Sequence, residues 1–179
     1  GGRSAVATAL SGYAVSEARR YLGDAVPAGE RERVLEALTR AARWLAGHVD
    51  RAVINHSAGA LAALHNIHLL TGATAHLAAA AAYVDVLKDG QNEEGWFSEY
   101  GGADIGYQGV TLDYLAKYHE RSGDDRVAGL IDRGLSFFGH FVYPDGTCGG
   151  PIGSRSTRYL LPHGLEILSA RWQAASHIR

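Results

Sequence analysis

Methionine does not occur in the 179 residues, and cysteine occurs once, at Cys148. A single thiol excludes an intramolecular disulfide and any metal site needing two cysteine ligands from this chain. Basic excess is missing too: 17 Lys and Arg stand against 19 Asp and Glu, for a formal net charge of −2. That argues against a general nucleic-acid binder, which needs a cationic face to displace counterions. No apolar run approaches the roughly 18 residues of a membrane span; the longest candidate, 78–84, is short and alanine-rich. No glycine-rich loop ending in Gly-Lys-Ser/Thr is present, so nucleotide binding has no support. Strand-like segments are few, and Trp96-Phe97 and Val142-Tyr143 suffice only for turns or a small hairpin.

What is present is globular. Apolar residues make up 46% and charged residues 20%, in the range of a folded domain and not of a disordered chain. The length suits one domain with a real core. With no initiator methionine and a Gly1-Gly2 opening, the chain reads as processed, tagged or truncated, and no secretory signal is visible. The expectation is a single helical-hairpin domain over 1–179, part of a longer protein.

Self-similarity organises the sequence. At an offset of 51 residues, Leu61 falls on Leu112, Leu64 on Leu115, His68 on His119, Thr71 on Ser122, Gly72 on Gly123 and Gly95 on Gly146. Gly72 and Gly123 then stand where a left-handed cap ends a helix, and Gly23, 49 residues before Gly72, marks an earlier copy. Apolar spacing predicts seven helices, over 4–22, 30–47, 57–70, 76–88, 107–121, 124–141 and 159–176. Links within a hairpin are short. Links between hairpins, 88–106 and 142–158, are long and rich in Gly, Asp, Tyr and Trp. This pattern predicts an all-α fold, an α/α toroid or an open part of one, with its decorated loops on one rim.

Candidate site residues concentrate on that rim. The stretch 91–108 holds Trp96, Glu99, Tyr100, Asp104 and Tyr107 among several glycines. Its aromatics offer flat faces to a sugar, or else plug the end of the helical layer, and Asp104 could instead cap a helix. Arg155 and Arg158 follow a glycine-rich run and could clamp a carboxylate or sulfate, or pair with Glu99 or Asp104. Asn55-His56 shares the register of Gly106-Tyr107, which puts it on the same rim, with Asn55 alternatively an N-cap. His163, after Pro162, belongs near that rim as well. His65 and His68, three apart, could in principle hold a metal, but read better as polar positions at a helix seam. The sequence calls for no cofactor and no metal.

The order Asn55-His56, alanine-rich helix, Glu93-Glu94-Gly95-Trp96 and Tyr100-Gly101-Gly102-Ala103-Asp104-Ile105-Gly106-Tyr107 resembles the helical domain of heparinase II/III-like and alginate-type polysaccharide lyases, over roughly residues 50–170. A weaker similarity, carried by Gln91, Gly95-Trp96 and Pro144-Asp145-Gly146-Thr147, is to terpenoid cyclase and prenyltransferase toroids. Their acid-rich initiating motifs are not found. Cys148 and Pro162-His163-Gly164 echo the zinc set of lanthionine-cyclase-like toroids, but the second cysteine is absent.

The lyase resemblance implies β-elimination on an acidic polysaccharide or oligosaccharide. Asn55 and His56 match the position that neutralises the uronate carboxylate. Tyr107 or Tyr100 would be the base or acid, with His163 in reserve, and Arg155 and Arg158 would bind acidic sugar. The resemblance also implies a β-sandwich domain after the helical one; the short run of hairpins separately suggests an open arc, a partial chain or one half of a homo-oligomer. The competing expectation is a non-catalytic α/α scaffold or partner-binding arc, and a terpenoid-type toroid comes third.

Overall fold

A computed structural model of the chain describes residues 4–145, 147–149, 152–157 and 160–178. Gly146 and Arg158, named above, lie outside the described residues. The described chain is all-helical, with no β-strand. Eight α-helices occur among the described residues: α1 Ala5–Leu22, α2 Ala28–Ala46, α3 Ile54–Thr71, α4 Ala75–Gly90, α5 Ile105–Ser122, α6 Ala128–Gly139, α7 Pro162–Ser169 and α8 Gln173–Ile178. They form four hairpins. The odd-numbered helices pack side by side in chain order, α1 on α3, α3 on α5 and α5 on α7, and each even-numbered helix lies behind its hairpin partner.

The repeat is exact at its helices. Both α3 and α5 are 18 residues long, and both of their ends differ by 51 positions. Each stops at a left-handed glycine, Gly72 (φ 71°) or Gly123 (φ 63°), whose N–H bonds back to His68 or His119. A side chain would strain that conformation, so both glycines end their helices as the sequence predicts.

Position in the layer sets composition. Helix α3 touches α1, α2, α4 and α5 and is buried nearly all round, through Ile54, Ala58, Leu61, Ala62, Leu64 and Ile67. Hence apolar residues occur on all its sides, with Asn55, Ser57, His65 and Asn66 buried among them. Leu38, Ala42 and Leu45 of α2, Val84 and Leu87 of α4, and Leu112, Leu115 and Ala116 of α5 complete the same core. No helix among the described residues is long and apolar enough to cross a membrane.

Several boundaries differ from the sequence reading; the helix expected from 124 starts at Ala128, after a tighter turn over Asp125–Val127. The last predicted helix is two, broken at Ala170-Arg171-Trp172. The Trp172 ring packs edge-on against His119, and Arg171 reaches both His119 and Asp125, so contacts with α5 and the turn after it turn the chain where its local pattern would continue. Helix α3 also begins at Ile54, three residues before its predicted start, for a reason that lies in the next hairpin's loop.

Close approach of α7 to α5 rests on one glycine. A Cβ on Gly164 would stand 2.3 Å from the Asp113 Cα, against backbone that cannot rotate away. Alanine favours a helix over glycine by about 1 kcal/mol, but overpacking of this kind costs about 1–3 kcal/mol. Gly164→Ala is therefore expected to destabilise the fold by on the order of 1 kcal/mol, read as a lower urea midpoint. An unchanged or higher midpoint would show that α7 can move away from α5.

Candidate functional site

Both long loops meet over the N-terminal ends of α3 and α5. Ile54 donates its N–H to Ser98 O and Tyr100 to Ala52 O, while Ser154 donates to Ala103 O. Antiparallel bridges join Val53 to Glu99 and Asp104 to Gly153. Gln108, buried in α5, accepts from the Phe97 N–H at 3.0 Å and donates to the carbonyls of Gly95 and Gly134, which fixes loop 91–104 against α6.

Glu99 answers the early start of α3. Val53, at the N-cap position, offers no capping side chain. Instead Glu99 accepts the Asn55 backbone N–H on Oε1 and the Asn55 Nδ2 on Oε2, each at 2.8 Å. An N-terminal N–H left unpaired by the helix is thus satisfied from a distant loop. Asn55 is accordingly the second residue of α3 and not its N-cap. The Glu99 carboxyl is fully buried. Burial pushes it up to about 7; the Asn55 hydrogen bonds oppose this, and the nearby charges of Asp104 and Asp50 add to it.

Asp104 performs the corresponding task for α5. It is the N-cap, with Oδ1 accepting from Tyr107 N–H at 3.2 Å. Its Oδ2 takes the backbone N–H of Arg155 at 2.9 Å and of Thr157 at 3.3 Å. It is 1% exposed, so this carboxylate holds loops and does not face solvent. The Arg155 side chain forms no ion pair with Glu99 or Asp104; its guanidinium lies over the Tyr100 ring, 4.3 Å from the centroid.

These loops frame a cleft of about 490 Å³ lined by Val6, Leu10, Asn55, His56, Tyr100, Tyr107, Val110, Tyr114 and Leu161. Four of the sequence-predicted site residues, Asn55, His56, Tyr100 and Tyr107, therefore share one concavity; Arg155 touches it only through the Tyr100 ring, and Glu99 and Asp104 are buried and not among its lining residues. Trp96 is half-buried beside Glu94, and His163 is exposed on the first turn of α7; neither is among the cleft's lining residues. A larger groove of about 740 Å³ on the outside of α1 and α2, lined by Arg19, Arg31, Arg40 and Arg43 among others, contains none of the candidates.

Three further residues shape the site without having drawn attention in the sequence. Asp50 accepts from or shares a proton with His56 Nδ1 at 2.8 Å, which fixes the ring's orientation and leaves Nε2 outside that contact. Burial would raise Asp50, but hydrogen bonds from His56 and from the backbone of Ala52 and Val53 outweigh it and hold the carboxyl below its usual range. Tyr13 and Tyr114 meet edge to face at 5.4 Å, a contact between α1 and α5 that backs Tyr114 in the cleft's lining. Burial, with Asp113 nearby, pushes Tyr114 up to about 12. Only the Asp50–His56 spacing of six could have hinted at the first; the tyrosine pair joins residues about a hundred positions apart.

The seam reading of the histidines fits their placement. His65 is buried against the Tyr118 ring, with centroids 5.2 Å apart, and burial lowers its pKa.

Glu99 makes stability depend on pH. Its folded value of about 7 lies above its ordinary 4.5, so between these pH values the folded chain holds a proton that the unfolded chain has lost. The contribution is complete below 4.5 and disappears as pH rises through 7. The stability difference between the parent and Glu99→Gln, from urea unfolding at pH 5 and pH 8, is expected to move in favour of Glu99→Gln at the higher pH. A difference independent of pH would show that Glu99 titrates normally.

No curated protein and no solved structure gives a match to the chain. The family model described as "Ulvan lyase N-terminal domain" matches residues 6–161, an interval that takes in every helix from α1 to α6, both long loops and all the lining residues of the cleft. By that match the chain belongs to the ulvan lyase N-terminal domain family.

Proposed function

We propose that this domain supplies the carboxylate-neutralising and proton-transferring half of a polysaccharide lyase that cleaves an acidic, uronate-containing chain by β-elimination. The observation that carries the reading is the convergence of Asn55, His56 and Tyr107 on one cleft in a member of a lyase-related family. Elimination removes the proton at C5 of a uronate, forms the C4–C5 double bond and breaks the C4–O bond, with a proton delivered to the leaving oxygen. The C5 proton is acidic only when the neighbouring carboxylate is neutralised. Asn55 Nδ2–H is a donor for that carboxylate, His56 Nε2 joins it when the ring carries both protons beside Asp50, and Tyr107 is the group that moves the proton. Tyr100 in the lining and Arg155 over its ring suit the next sugar, one by ring contact and the other by charge.

The alternation of inner and outer helices supports an open arc of an α/α toroid, and a further β-rich domain or a second copy would close the cleft. The family match favours the lyase resemblance over the terpenoid-cyclase one. One observation favours a non-catalytic scaffold: Glu99 and Asp104, the rim's two buried carboxyls, accept from the backbone and from Asn55. That describes the frame of the cleft, whose lining residues suit either role.

The test uses ulvan as the probe polysaccharide and follows the ultraviolet absorbance of the unsaturated uronate product. Tyr107→Phe is expected to lower turnover by roughly 10²- to 10⁴-fold, and Asn55→Ala to lower it comparably, with melting temperatures for Tyr107→Phe close to the parent's. Parent protein that binds the polysaccharide without forming product would support the scaffold reading. Absence of both binding and product in the full-length protein would overturn the proposal.

A further inference from the structure

We propose that Glu99 is a positioning residue that locks the Asn55 amide in the one orientation that turns an N–H toward the cleft; this rests on the lyase reading of that cleft. Glu99 is not a catalytic residue, since its carboxyl has no exposed surface. It acts through Asn55, which is 3% exposed and lines the cleft.

An asparagine amide has two chemically opposite ends. Its N–H end attracts a substrate carboxylate and its carbonyl repels one, and the terminal torsion that exchanges them is broad and roughly two-fold. Once ionised, above about pH 7, the Glu99 carboxylate only accepts hydrogen bonds. Glu99 therefore selects the nitrogen end at Oε2, while Oε1 holds the Asn55 backbone N–H. Two bonds from one rigid group fix the side chain relative to its own backbone. One Nδ2 hydrogen is used by Glu99, and the second remains for the cleft.

The anchor is itself held. Glu99 N–H donates to Gly102 O at 2.8 Å, its carbonyl accepts from Ser154 Oγ, and its backbone bridges Val53. Helix capping alone does not explain this arrangement. A serine, threonine or aspartate at position 53 would cap α3 locally, yet the chain has Val53 there and buries a carboxyl from 44 residues away. Burying a carboxyl is unfavourable unless it is well paired, and here both oxygens are directed at a single asparagine.

Positioning predicts effects that simple capping does not. Glu99→Gln has nearly the same shape but faces Asn55 with an amide, which can accept the backbone N–H and leave its own N–H toward Asn55. The Asn55 amide then inverts or becomes mobile. In protein labelled with ¹⁵N-asparagine, with the Asn55 signal identified by its loss in Asn55→Ala, the parent is expected to show two well-separated Nδ2 protons, one slow to exchange. In Glu99→Gln the pair should collapse toward the signal of an exposed asparagine. On ulvan, Glu99→Gln should lower kcat by roughly tenfold or more with little change in KM, and the double variant with Asn55→Ala should be no slower than Asn55→Ala alone.

Rapidly exchanging, equivalent Asn55 protons in the parent would overturn the proposal. So would an amide spectrum unchanged in Glu99→Gln, or additive losses in the double variant. If the parent turns over no polysaccharide, the lyase reading fails and the amide spectrum still decides the positioning. If Glu99→Gln does not fold, the parent decides: Asn55 Nδ2 shifts that follow the ionisation of Glu99 support the contact, and shifts independent of it overturn the proposal.

Discussion

One buried carboxyl links the two halves of the site. Glu99 arrives from the loop between the second and third hairpins, yet its oxygens belong to the first turn of α3. Removing it would leave the Asn55 N–H without an acceptor in a place that water does not reach, a deficit of roughly 1–3 kcal/mol. The same contact stations the loop's tip over the cleft. Helix start, loop path and cleft wall therefore have a common cause.

Asp104 repeats the logic one hairpin later, with a change of division of labour. It caps its own helix through Oδ1 and collects two N–H groups of the following loop through Oδ2. Both long loops are thus tied to the N-terminal end of an odd-numbered helix. Because α3 and α5 point the same way, their N-termini share a rim, and their partial positive charge favours acidic groups there. Two carboxyls in the frame, with Asn55, His56 and Tyr107 in front, follow from that one geometric fact.

Much of the scaffold was legible in the sequence because it is periodic. The 51-residue offset aligned Gly72 with Gly123 and Leu61 with Leu112, and the helices bear it out end for end. Asn55, His56 and Tyr107 could be assigned to one rim because the offset puts them in the same register. What periodicity could not supply was the partner across the fold. The start of α3 depends on an acceptor 44 residues away, so Asn55 resembled a cap when it is capped. Asp50 looked like any polar residue before a helix, since its contact with His56 depends on a tight turn through Ala52 and Val53. The break before α8 follows from the Trp172 contact with His119, which no local pattern encodes. Trp96, conspicuous as a residue type, turned out to stand away from the cleft.

The tip of the first long loop carries one more consequence. Tyr100 (φ 53°) and Gly101 (φ 86°) form the two central positions of a tight hairpin turn closed by the Glu99 and Gly102 backbones, the left-handed pair that usually calls for Asn-Gly. A tyrosine in that conformation is strained by on the order of 1 kcal/mol, and the surrounding bonds hold it there. Tyr100 is 53% exposed, with Arg155 over one face of its ring, on a backbone with little freedom left. A flat ligand landing on it would meet a surface already ordered, so the entropy normally lost when a loop closes on its guest was lost once, when the chain folded. Such a surface should bind with fast association and little dependence on induced fit, more like a fixed shelf than a closing lid.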